Sequence, residues 1–161
     1  MTSHLLQRLL RGLHYIEGGG SWRLKPHEAI LLNAVLDRLA TDAKTRVQEQ
    51  MAHGYFVERM SDGRINVIRL HKKPGDLAIQ DSSFADALYN VRLSVEARRE
   101  NAHVTFLKGF IFSIETKHGK HFYVGKTISV LDASVGDPHQ SFTRAIDRLE
   151  HGKDGHLATG E

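Results

Sequence analysis

The chain has no cysteine, no Gly-x-Ser-x-Gly elbow, no His-Glu-x-x-His pair and no apolar run near the ~20 residues that span a bilayer as a helix. Each absence closes off a chemistry. Without thiols there are no disulfides, thiolate zinc sites, cysteine-held iron–sulfur clusters or thiol nucleophiles. Without the elbow there is no strained serine of the hydrolase kind, and the nearby Asp137, His139 and Ser141 crowd one expected helix turn instead of converging from separate elements. Charge of one sign is also scarce. The 22 Lys and Arg nearly balance 19 Asp and Glu, leaving +3. What is abundant is histidine: eleven residues, whose protonation near pH 6 would raise that charge severalfold. They scatter along the chain, so no metal cage is expected and no cofactor is implied.

The 161 residues suit one domain, 1–161, able to bury roughly 70% of the unfolded chain's surface. At the start, Leu5, Leu6, Leu9, Leu10, Leu13 and Ile16 recur at helical spacing, and no acid precedes Glu17. A basic, Leu-rich start resembles a mitochondrial presequence or membrane-surface helix, but it reads best as a semi-independent helix over 1–17 docking its Leu stripe. A Gly-rich hinge at 18–21 follows; it lacks the preceding strand of a phosphate loop. Cytoplasmic localisation is the expectation.

Helical periodicity returns over 26–40, with Pro26 in the first turn, and again from a Thr41 cap to His53 with a thin apolar face. The period then changes to two. Tyr55–Met60 and Ile65–Leu70 flank an Asp62-Gly63 turn, and Tyr89–Ala97 alternates strictly. Arg98–Asn101 is expected to turn the chain into Ala102–Leu107, Lys108-Gly109 into Phe110–Lys117, and His118-Gly119 into a strand from His121 to Val124 that runs on toward Val130. Asp137 and Pro138 open a carboxy-terminal helix carrying Phe142, Ile146 and Leu149, and 153–161 form a flexible tail. The pattern predicts an α+β fold: N-terminal helices, an antiparallel β-meander of about five or six strands, and a C-terminal helix packed on the sheet.

Two clusters carry chemical potential. Counting outward from Lys108-Gly109 pairs Ala102 with Glu115 and Glu100 with Lys117, so Glu100, Glu115 and Lys117 would share one face. Apolar strand residues followed by Glu115-Thr116-Lys117 resemble half the motif of restriction-type nucleases, in which two carboxylates hold a divalent metal and the Lys positions water. The Pro-Asp pair of that motif is missing. The second cluster is an acid-free basic tip: Lys117, His118, Lys120, His121, Phe122, Tyr123 and Lys126. It could grip phosphates or nucleic acid, or present cations and aromatics to a protein. Apolar residues on both sides of the Lys108 hairpin call for two covers, and a missing one would leave a homodimer or partner face.

The favoured expectation is a small non-catalytic protein-binding module acting through the tip, similar at class level to bacterial immunity or accessory proteins. The alternatives are a metal-dependent nuclease using Glu100, Glu115 and Lys117, and a phosphate or nucleic-acid binder through 117–126.

Overall fold

Pro26 opens helix α1 (Pro26–Leu36) in the computed structural model, which describes residues 20–69, 77–119 and 121–137. Leu31, Leu32, Val35 and Leu36 are buried along it. The helix stops four residues short of the expected 40. The N–H groups of Arg38 and Leu39 reach back only three residues, to Val35 and Leu36, which tightens the chain into a turn. Helix α2 (Thr41–Ala52) has Ala40 in the cap position, so Thr41 lies inside the helix and does not cap it. Its buried face is as thin as the sequence implied: Ala43, Val47 and Gln50.

Six strands follow: β1 (Tyr55–Arg59), β2 (Arg64–Arg69), β3 (Asp86–Val95), β4 (Arg98–Leu107), β5 (Phe110–Thr116) and β6 (Ile128–Gly136). They form one antiparallel sheet in the order β1-β2-β5-β4-β3-β6. The class is α+β, but only β3-β4-β5 is a meander. The β1-β2 hairpin joins beside β5, and the chain after β5 crosses the sheet end to place β6 on the far side of β3. That crossover is why His121–Val124 is not a strand. Residues 121–125 turn repeatedly, with Phe122, Val124 and Lys126 N–H groups bonding three residues back. The β3-β4 turn also differs: Glu96 and Ala97, both left-handed (φ 48° and 68°), make it, two residues before Arg98. Burying Val91, Leu93 and Val95 on one face outweighs the cost of about 1–2 kcal/mol for each non-Gly residue in that region.

Both described helices precede the strands and pack on one sheet face, α1 against β3 to β6 and α2 against β5. The core lies between: Val35, Val47, Val57, Val91, Val104, Phe106, Ile111 and Ile114 are all nearly inaccessible. Gln50 ties α2 to the β4-β5 turn, donating from Nε2 to the carbonyls of Leu77 (2.8 Å) and Gly109 (2.9 Å) and accepting from Ile111 N–H. Ser21, expected within a free hinge, exchanges two backbone bonds with Val57 and lines the outer edge of β1. The expected helices at 1–17 and from Pro138 onward, and the tail at 153–161, lie outside the described residues. No helix among the described residues is long and apolar enough to cross a membrane.

Candidate functional site

The β4-β5 hairpin decides which polar residues meet. Leu107 pairs with Phe110 and Phe106 with Ile111, as counting from the turn predicts. Then β5 bulges: Thr105 lies opposite Ser113, leaving Phe112 as the extra residue. From there Ala102 pairs with Thr116 and His103 with Glu115. A one-residue slip moves every later side chain to the other face. Glu100 therefore shares the helix-covered face with Ala102 and Val104, while Glu115 lies on the opposite face beside Ser113 and Arg64. The carboxylates expected to share a metal are separated by the sheet, and Lys117 is exposed beyond β5. Among the described residues no three His, Cys, Asp or Glu side chains group as metal ligands. His103, a candidate strand ligand, instead pairs through Nδ1 with Asn90 Oδ1 at 2.7 Å.

The slip gives Glu100 a different role. It is buried, and its two oxygens hold the tip from beneath. Oε1 accepts from His118 Nε2 at 3.0 Å, and Oε2 accepts from the Tyr123 hydroxyl at 3.0 Å. Tyr123 is 4% exposed, and burial, with the Glu100 carboxylate beside it, pushes its hydroxyl up to about 12. His118 stacks on Phe122 (centroids 3.9 Å apart), and Lys126 Nζ sits 3.3 Å above the Phe122 ring centre. The tip is therefore an ordered corner, built on one buried carboxylate.

The β1-β2 turn buttresses it from the side. Gly63 O accepts from both the backbone N–H and Oγ1 of Thr116, each at 3.0 Å. Gly63 is left-handed (φ 91°), and a Cβ there would press into the Thr116 carbonyl and lie 2.6 Å from that of His118. On the helix side, His27 stacks on Tyr123 with centroids 5.1 Å apart. Burial holds the His27 imidazole below its ordinary value, with the neighbouring Lys25 and Arg59 charges adding to this and Glu28 opposing it. Behind it, Glu28 and Arg59 form a fully buried bidentate pair (Nε–Oε1 2.6 Å, Nη2–Oε2 2.7 Å) that fastens α1 to β1.

Of the expected tip residues, the structure brings His118, Phe122, Tyr123 and Lys126 together. Lys117 and His121 are exposed, and Lys120 lies outside the described residues. The aromatics turn inward, so the outward surface is cationic, with Val124 (62% exposed) between. Sequence reasoning missed Glu100 as the anchor, along with His27, Glu28 and Arg59. Their one visible signal was Glu28 three residues after Lys25 at a helix start, where its Oε2 accepts from the Lys25 N–H at 2.7 Å. Set against known proteins, the chain matches no family model, no curated protein and no solved structure.

Proposed function

We propose that the protein is a non-catalytic, cytoplasmic binding module that recognises an acidic segment of a protein partner through the tip at 117–126. The observation that carries this reading is the seating of His118 and Tyr123 on one buried carboxylate, which leaves Lys117 and His121 facing solvent from a preorganised turn. A preformed turn loses little entropy on binding, and its cations select and steer an acidic partner. Inward-turned aromatics favour a protein carboxylate over single-stranded nucleic acid, which needs rings free to stack on bases. The separation of Glu100 from Glu115 removes the support for a nuclease.

Fluorescence anisotropy with a labelled Asp/Glu-rich peptide, a Lys-rich peptide and single-stranded DNA and RNA tests this directly. The acidic peptide should bind, weaken with salt and lose about tenfold or more in the Lys117→Glu/His121→Glu variant. Preference for an oligonucleotide, or acidic-peptide binding that this variant leaves intact, would overturn the proposal.

A further inference from the structure

Beside the tip, between the start of α1 and residues 123–128, lies a cleft of about 210 Å³. Its apolar walls include Ile30, Val124 and Ile128, and its polar side chains include Lys25, His27 and Lys126. No acidic residue lines it. Among the described residues, no carboxylate pairs with the ammonium of Lys25 or Lys126. Two cations therefore flank an apolar hollow without a counter-charge.

His27 is the second, independent observation. It is 93% buried (7% exposed), yet its Nε2 is 3.8 Å from the nearest Glu28 oxygen, beyond hydrogen-bond reach. Glu28 is already taken by Arg59 and the Lys25 N–H. Among the described residues the sole side-chain polar atom sealed from solvent without a partner is Thr105 Oγ1, so the unbonded His27 nitrogens keep some contact with solvent, and His27 lines the cleft. Burial keeps the ring neutral near pH 7, with one N–H to give. An N–H that only water satisfies can exchange that water for a ligand oxygen arriving through the cleft.

We infer that this cleft is a binding site for a small aliphatic carboxylate, its oxygens held by Lys25, Lys126 and the His27 N–H and its hydrocarbon laid against Ile30, Val124 and Ile128. At interior packing density, 210 Å³ accepts about 160 Å³ of molecule, or about ten heavy atoms, the size of octanoate. The site adjoins the outward tip surface at Val124 and Lys126, and Lys117 and His121 do not line it.

Two-dimensional amide NMR of the full chain, titrated with butyrate, hexanoate and octanoate, and with octan-1-ol and octylamine as isosteres, tests the inference. Saturable shifts at Ile30, Val124 and Lys126 that strengthen with carboxylate length are expected, with the alcohol and amine at least about tenfold weaker. Lys25→Met/Lys126→Met keeps the apolar stems and should weaken octanoate about tenfold or more. Val124→Asp, at an exposed position that burdens no core, should do the same by repulsion. Octanol binding as tightly as octanoate, octanoate binding untouched by these variants, or no saturable shift with any chain length would each overturn the site. Because Lys117→Glu/His121→Glu spares the cleft, loss of acidic-peptide binding in that variant alone tests the tip and leaves this site standing.

Discussion

Truncating Glu100 tests whether one buried carboxylate holds the tip. Its side chain is 5% exposed and accepts two hydrogen bonds, one from the buried Tyr123 hydroxyl and one from His118, whose side chain is 34% exposed. A hydrogen bond to a buried charge contributes about 1.5–3 kcal/mol, whereas water can replace much of the His118 contact, leaving less than about 1 kcal/mol there. Glu100→Ala should therefore cost about 3 kcal/mol, and the coupling between Glu100→Ala and Tyr123→Phe in a double-mutant cycle should be about 2 kcal/mol. Urea unfolding of the four proteins at neutral pH measures both. Spectrophotometric titration of tyrosine provides a second readout. In the native protein Tyr123 ionises at about 12, and in Glu100→Gln its midpoint should move down while staying above 10, because burial remains. The raised value means the folded state holds this proton more tightly than the unfolded chain. That stability is complete below pH 10 and is lost, to the extent of about 3 kcal/mol, as pH rises through 12. A coupling below about 0.5 kcal/mol, with an unmoved Tyr123 midpoint, would refute the reasoning.

Three further outcomes follow from the same geometry. Arg59→Met strips Glu28 of its charged partner and should cost about 3–5 kcal/mol by denaturant unfolding, while Glu28→Leu/Arg59→Met should recover part of the loss; equal damage in both would show that the pair itself matters little. Gly63→Ala should destabilise by more than about 1 kcal/mol and broaden the amide signals of Thr116 and His118, since the added methyl meets both carbonyls in a left-handed turn. The lowered His27 value means the unfolded chain binds that proton more readily. The associated stability is present above pH 6.5 and is lost as pH falls through the folded-state value, so His27→Gln should flatten the acid limb of a stability–pH curve.

Much of this fold is readable locally. The turns at Asp62-Gly63 and Lys108-Gly109, the alternation through Tyr89–Val95, and the Leu-rich face behind Pro26 are patterns of neighbouring residues, and all four locate their elements. The candidate site was legible only as a composition, a run of Lys and His. Its construction depends on partners that are distant in sequence: Glu100 with His118 and Tyr123, and Glu28 with Arg59, 31 residues away. The error over Glu115 has one cause. An alternation count carries no sign of a bulge, because Phe112 is as good a strand residue as its neighbours, and one inserted residue reverses the facing of everything after it.

The sequence by itself determined the class of chemistry and the class of fold. Lacking cysteine excludes thiol and disulfide chemistry wherever the chain goes, and hydrophobic period sets helix against strand because each buries one face. Only the tertiary structure decided the strand order, the faces of Glu100 and Glu115, and the meeting of Lys25, His27 and Lys126 at one cleft. Those outcomes turn on long-range packing: β6 lies beside β3, and α1 lies across the sheet, because that arrangement buries Leu31, Val35, Val91 and Ala133 together, a gain that no local window contains.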